Sequence, residues 1–368
     1  MSGCAVHRVL ARGGSLRQDD RVTFEAAELA VVLSYYDLGV IESITDYVRG
    51  SRRSAKVGIV CHRGKFLLKR RPIRRAHPDR VRFAHRVQKH IIPQGVPVAR
   101  LIETRDDGDT LVHIRENLYE LFEFVAGQPY EQTPAEARGA GVVLAQFHLA
   151  TEGFVNPSTL PTPRGDYHDA PGVRTGLSRI AAALSGHDSV SGNAGELDAM
   201  VQYLLGVYDR GAAGANAVGL PAWPECIVHS DWHPGNLLFR KQQVVAVIDY
   251  DSARMSRRMI DVANGALQFS IIAGGDPAGW PDELHEERFH AFLEGYESRC
   301  PLGDEELRSI PYLMAEALIA ECVPPITETG SVGRWAGFRV LQMVRRKVRW
   351  MESHGERLVD DASVRLKA

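Results

Sequence analysis

Apolar and polar residues alternate in short runs through the first third of the chain, then recur at helical spacing through most of the rest. Near the start, Thr23 is positioned to cap a helix from Phe24 to about Tyr36, ahead of an Asp37-Leu38-Gly39 stop. "SITDYV", "AKVGIVCH" and "KFLLKRR" are β-type runs parted by "RGSRRS" and "RG", and predict three consecutive antiparallel strands. In "HPDRVRFAHRVQKHI" the residues Phe83, Val87 and Ile91 share one helical face. "VPVARLIET", "TLVHI" and "LYELFEFV" predict further strands around the turn "DDGD". The pattern changes at Gly127-Gln128-Pro129. Beyond it, Thr133 caps a helix with Pro134 at its first position. A polar stretch with Gly and Ser follows from about Asn156 to Gly195, and helices are predicted at Glu196–Tyr208, Asp261–Ala273, Leu284–Arg299, Asp304–Ala320 and Arg334–Ser353. Only Ile227 to Asp251 interrupts them with strand-like runs. The pattern thus predicts a β-rich front part and a helical back part, with a ligand cleft expected at their junction.

Composition narrows the class. With 44% hydrophobic and 24% charged residues over 368 positions, the chain has an ordinary globular balance and length for a large core. A net charge of −2 supplies no global field for nucleic acid or a membrane surface. The arginine-rich run from Arg63 to Arg86 is a local exception, read either as a solvated face or as a surface for an anionic substrate or partner. Five widely spaced cysteines without a C-x-x-C indicate neither a disulfide framework nor a zinc knuckle, and point to a reducing, cytoplasmic setting. The first 23 residues lack a signal-peptide core and read as a disordered tail, and no apolar run reaches the length of a membrane span.

The candidate chemistry lies in "IVHSDWHPGNLLF", Ile227 to Phe239. His229 and His233 have the spacing of a helical zinc motif, but Pro234-Gly235 follows at once and no third ligand is evident. A second reading uses more of the segment. Asp231 is followed five residues later by Asn236, then by a strand, a polar turn and the strand "VVAVID" ending at Asp249. Phosphoryl transfer needs such a set: one carboxylate to take the proton of an attacking hydroxyl, and an amide oxygen with a second carboxylate to hold Mg²⁺ against the phosphates.

"HSDWHPGNLLF", "VAVIDYDSA" and "IDVA" together resemble the superfamily of aminoglycoside phosphotransferases, choline kinases and type II homoserine kinases. The resemblance implies an α+β, protein-kinase-like two-lobed fold, with a β-rich N-lobe over 24–126 and an α-rich C-lobe over 127–368. It implies ATP and Mg²⁺, with Asp231 as base, Asn236 and Asp249 as metal ligands, and Lys69 of "FLLKR" on the nucleotide phosphates. "LFEFVAG" would be the hinge whose backbone at Glu123 and Val125 meets adenine, and Gly50 and Ser51 would lie in the loop over the phosphates. His229 is expected as a buried imidazole holding the loop by hydrogen bonds. His233 is expected as loop scaffold or active-site edge. Asp251 would join the metal shell through water or cap the next segment, and Asp261 would cap or orient a helix behind the site. Trp232 and Tyr250 are read as packing residues. One departure stands out: Ala84 occupies the place of the family's helix glutamate, with Gln88 the nearest polar substitute. The acceptor is expected to be a small molecule bearing a hydroxyl, and "YDLG" with "FLEGYESRCPLGDEEL" looks nearer the homoserine-kinase-like branch. A stress-response type of protein Ser/Thr kinase and a non-catalytic pseudokinase are the alternatives. Oligomeric state is left open.

Overall fold

The computed structural model describes residues 23–47, 54–73, 76–157, 160–186, 190 and 193–367. Gly50 and Ser51 lie outside the described residues.

Helix α1 (Ala26–Leu33) is shorter than the pattern predicted, and Thr23 does not cap it: Glu25 is its N-cap, with the Glu28 carboxylate reaching back to the Glu25 N–H at 3.3 Å. The antiparallel strands β1 (Ile41–Asp46), β2 (Lys56–Cys61) and β3 (Gly64–Pro72) follow, as expected. Helix α2 (Pro78–Ile91) buries Phe83, Val87 and Ile91, the face read from its spacing. Strands β4 (Val112–Ile114) and β5 (Asn117–Glu123) complete a five-stranded sheet in the order β1-β2-β3-β5-β4. In β2 every second residue (Val57, Ile59, Cys61) is buried, so one face packs under α1 with Phe66, Leu68, Tyr119 and Leu121.

The run 96–104 is not a strand. It makes only isolated bridges, Leu101 to Phe122 on the sheet and Val98 to Val247 in the other lobe. Its backbone is divided between two partners: Ile102 N–H donates to Leu121, while Pro97 accepts from Val247 at 2.8 Å. A continuous ladder with either partner is thereby lost.

The helical lobe comprises α3 (Pro134–Ala150), α4 (Pro171–Leu184), α5 (Ala194–Ala217), α6 (Met259–Ser270), α7 (Glu286–Glu297), α8 (Asp304–Thr329) and α9 (Gly337–Lys367). Thr133 caps α3 by accepting the Glu136 N–H at 3.2 Å, with Pro134 opening the helix. Helix α4 falls inside the stretch read as polar loop; Val173, Leu177, Ile180 and Leu184 form its buried stripe. Helix α8 continues well past Ala320, through Pro324 and Pro325. Between α5 and α6 lie β6 (Glu225–Val228), the hairpin β7 (Leu237–Arg240) and β8 (Gln243–Val247), and β9 (Arg254–Arg257), which pairs with β6.

Candidate active site

The loop after β6 is held from below. The Asp261 carboxylate, fully buried in the first turn of α6, accepts the backbone N–H groups of His229 at 2.6 Å and Ser230 at 2.7 Å. His148 Nε2 lies 3.2 Å from the same carboxylate and its Nδ1 meets the Tyr296 hydroxyl at 2.8 Å. Two amides and an imidazole thus satisfy a charge that would otherwise be very costly to bury. Asp261 therefore anchors the loop itself, rather than capping or orienting a helix. Ser230 takes a left-handed conformation at φ 57°, which breaks the extended backbone of β6 just before Asp231.

His229 does not hold the loop by its ring nitrogens; both are buried without a hydrogen-bond partner. The imidazole sits instead among Phe147, Trp232 and Tyr250, with ring centroids 6.1, 5.5 and 4.8 Å away. Burial pushes its pKa below the ordinary value, against the pull of Asp261 and Asp231, which keeps it neutral. Trp232 and Tyr250 pack, as read from the sequence.

Asp231 and Asn236 are joined directly. The Asn236 amide donates to the Asp231 carbonyl at 2.9 Å and to Asp231 Oδ2 at 2.8 Å. His233 Nδ1 accepts the Gly235 N–H at 2.9 Å, so the ring proton is on Nε2. That nitrogen lies 3.4 Å from Asp231 Oδ1, too poorly aligned for a hydrogen bond but close enough to act on its charge. The β7–β8 turn, Lys241-Gln242, has φ of 50° and 64°, a type I′ geometry made without glycine. At the open end of the hairpin, Ile248 N–H donates to the Asn236 carbonyl at 2.9 Å, which seats Asp249 beside Asn236. Asp249 itself is left-handed, φ 68° and ψ 57°, a conformation costing about 1–3 kcal/mol for a non-glycine residue. Among the described residues no group of three or more His, Cys, Asp or Glu is placed to hold a metal. The donor pair Asn236 and Asp249 offers hard oxygens, which suit Mg²⁺, a cation that keeps several waters and takes few protein ligands.

The N-lobe faces this pair with cations from β3. Lys69 Nζ is 3.3 Å from Asp249 Oδ1 and 3.6 Å from Asp251. Two residues on, Arg71 hydrogen-bonds Glu120 through Nε and Asp251 through Nη1. Asp251 thus forms an ion pair between the lobes. Glu120 stands opposite Lys69 in the β3–β5 register and is 1% exposed. It also meets His85 Nε2 at 2.7 Å, whose Nδ1 reaches Thr110 at 2.8 Å. Burial opposes the charge of Glu120, but Arg71 and His85 outweigh it and hold the carboxyl far below its usual range. Gln88 is not the substitute for the missing helix glutamate, since its amide turns back to the Ala84 carbonyl at 3.3 Å. The buried carboxylate comes from the neighbouring strand, and helix α2 supplies His85 as one of its partners.

A cleft of about 420 Å³ opens between the lobes, lined by Tyr47, Phe124, Val125, Gly127, Leu238 and Arg240 among others. Glu123 borders it, with its N–H already donated to the Arg100 carbonyl at 2.8 Å. Gln128 and Phe239 exchange two backbone hydrogen bonds, 2.7 and 2.9 Å, stitching this crossover to β7. A Cβ on Gly127 would come within 2.7 Å of Leu238 Cβ, so only glycine permits that approach. The structure thus brings Lys69, Asp231, His233, Asn236, Asp249 and Asp251 together, with Glu123 and Val125 at the cleft. Sequence reasoning missed Arg71, His85, Glu120 and His148. The first three meet only through the Glu120 side chain, which joins β3, β5 and α2 in the folded chain, and His148, in the last turn of α3, carries no local mark of its partner.

Over 316 residues the chain is 26% identical to a homoserine kinase of Caulobacter sp. (strain K31), a match covering 83% of this chain and 87% of that one. The fold is similar to that of a microcompartment-associated aminopropanol kinase, with a TM-score of 0.64, 16% identity and coverage of 91% and 98% of the two chains. It is also similar to that of the amicoumacin kinase hAmiN in complex with AMP-PNP and Ca²⁺, with a TM-score of 0.62, 13% identity and coverage of 90% and 94%. The architecture is accordingly the protein-kinase-like one, a β-rich N-lobe on an α-rich C-lobe. Residues 56–305, from β2 through the loop and hairpin to the start of α8, match the phosphotransferase enzyme family, and the chain belongs to that family.

Proposed function

We propose that the chain transfers the γ-phosphoryl group of Mg·ATP to the hydroxyl of a small metabolite of the homoserine or amino-alcohol kind. The observation that carries this is the joining of Asp231 to Asn236, and of Asn236 to the Asp249 strand, by hydrogen bonds of 2.8 and 2.9 Å. In this reading the nucleotide lies under the lobe of residues 24–126, with adenine in the cleft against the backbone at Val125 and the carbonyl side of Glu123. The lobe of residues 127–368 holds the acceptor. Asn236 and Asp249 would hold Mg²⁺, which when bound would neutralise charge on the phosphates. Lys69 exchanges its Asp249 and Asp251 contacts for a phosphate oxygen. Asp231 accepts the hydroxyl proton as the acceptor oxygen bonds to phosphorus and the bond to the ADP oxygen breaks. The Asn236 amide keeps the Asp231 carboxylate oriented, His233 braces the loop at the Gly235 N–H, and the Asp261 anchor fixes the loop beneath it, so that catalysis is chiefly positioning and charge stabilisation. No helix among the described residues is long and apolar enough to cross a membrane, and the widely spaced cysteines support a cytoplasmic reading.

The test is incubation of the purified chain with Mg·ATP and a panel of amino alcohols, hydroxy amino acids, sugars and aminoglycosides, read by mass spectrometry. The expected result is one acceptor class gaining a phosphoryl group, dependent on the divalent ion. Nucleotide-induced stabilisation without transfer to any acceptor would replace the kinase reading with a binding one.

A further inference from the structure

We propose that Arg80 and Arg254 form a carboxylate-binding subsite beside Asp231, so that the acceptor is a hydroxy acid and not a simple amino alcohol. This rests on the phosphotransferase reading above. In the arginine-rich run of the N-lobe, Arg63, Arg70 and Arg82 pair with Asp37, Glu28 and Asp109 at 2.6, 2.5 and 2.8 Å, and Arg71 pairs with Glu120 and Asp251. Arg80 differs. Among the described residues it meets no carboxylate, and its Nε donates instead to the Asp251 carbonyl at 3.2 Å. Arg254, on β9, likewise has no carboxylate within ion-pair distance among the described residues; its Nε donates to the Ser252 carbonyl at 2.7 Å and its Nη1 to the Gly165 carbonyl at 2.8 Å. Two guanidinium groups, one from each lobe, therefore hang from consecutive carbonyls.

Their like charges act on each other. Burial, and then the charge of Arg80, holds Arg254 below its ordinary value, while Asp166, Asp261 and Asp231 pull the other way from beyond ion-pair distance. Asp166 does not complete the site. One of its oxygens accepts the Ser256 hydroxyl and the other the His168 N–H at 2.7 Å. Two guanidiniums held together without a carboxylate repel, and an anion bound by both relieves the repulsion with charge-assisted hydrogen bonds. Position says which anion. Arg254 stands opposite Val228 in the β6–β9 register, just ahead of His229, Ser230 and Asp231. That is the flank of Asp231 reached through β6, whereas Lys69, Asn236 and Asp249 gather on its hairpin side. The carboxylate of a short hydroxy acid, its hydroxyl directed at Asp231, fits this arrangement.

The experiment compares matched acceptors in Mg·ATP-dependent transfer: L-homoserine with its amide and with 3-aminopropan-1-ol, and L-serine with serinamide and ethanolamine. The acids are expected to exceed their neutralised or decarboxylated partners by about 10-fold or more in kcat/KM, the scale of one lost charge-assisted hydrogen bond. Arg80→Gln, on the exposed side, and Arg254→Lys, which keeps the charge, are expected to raise the acceptor KM while leaving the nucleotide KM near wild type. Amides and amino alcohols used as well as the acids would overturn the subsite, and so would variants that raise the nucleotide KM in place of the acceptor KM, since the arginines would then serve the phosphates. Absence of transfer to every acceptor, by a folded chain, would instead overturn the kinase reading itself.

Discussion

The loop at Asp231 and the β3 face opposite it are built by different means. The loop is one contiguous peptide, fixed by a single buried carboxylate on two backbone N–H groups and packed by aromatic rings around a neutral imidazole. The β3 face is a network of charged and hydrogen-bonding groups drawn from distant places: Lys69 and Arg71 on β3, Glu120 on β5, His85 on α2 and Asp251 after β8. A contiguous peptide has its geometry written into residue spacing, so its residues cannot be exchanged one by one. A charge network needs only that opposite charges meet within reach, and several strands can supply them. This is why the cationic face has a buried carboxylate beneath it although helix α2 carries Ala84 where a glutamate was expected.

That contrast can be broken in four places. The largest effect is expected from Asp231→Asn, which keeps shape and the Asn236 contact but removes the proton acceptor. kcat should fall roughly 10²- to 10⁴-fold with nucleotide affinity and melting temperature nearly unchanged. A variant keeping more than about a tenth of wild-type kcat would show that the loop does not work as a base-bearing unit. Next, Asp261→Ala leaves two amides and His148 without their acceptor. It should cost about 3–5 kcal/mol in denaturant unfolding, together with loss of transfer. A cost below about 1 kcal/mol would mean that the loop is not held from below.

A smaller effect is expected across the lobes. Glu120→Gln keeps a hydrogen-bonding group beside Arg71, and Asp251 still pairs with that arginine, so the network should adjust. About 2 kcal/mol of stability and a few-fold rise in nucleotide KM are expected, less than Lys69→Ala gives in the same titration. Equal losses in the two variants would make the β3 face as indivisible as the loop.

The smallest effect separates the regions by pH. The folded pKa of His229 is depressed below its ordinary 6.5, so its contribution to stability is present above that value and is lost as pH falls below it. Glu120 is depressed below its ordinary 4.5, so its contribution persists to lower pH and is lost only beneath that value. On acidification the loop should weaken first and the β3 face second. His229→Phe, which keeps the ring in its aromatic surroundings, should flatten the first part of the melting-temperature profile and leave the second. An unchanged profile between about pH 6.5 and 5 would refute the assignment.

Much of the fold could be read directly. The alternation in β2, the face of α2 and the Thr133-Pro134 start of α3 all appear where local spacing put them. Misreadings arose where local and distant signals compete. The stripe Val173, Leu177, Ile180, Leu184 was present at helical spacing, but polar flanks hid α4. The segment 96–104 has strand-like residues and lacks a continuous strand partner. The predicted helix stopped at Ala320, yet α8 runs on through Pro324 and Pro325 because its buried side, including Val323 and Ile326, is packed on neighbouring helices.

The site divides along the same line. The types and spacing of Asp231, Asn236 and Asp249 follow from one turn and one hairpin, whose dimensions are set by backbone stereochemistry, so the amino-acid order alone was enough to name them. Which charges meet was settled by folding. Arg71 with Glu120, Asp261 with two loop amides, and Arg80 beside Arg254 depend on strand register and on the closing of one lobe over the other. Electrostatic energy depends on separation and burial, and neither quantity exists for residues far apart in sequence until the chain has folded.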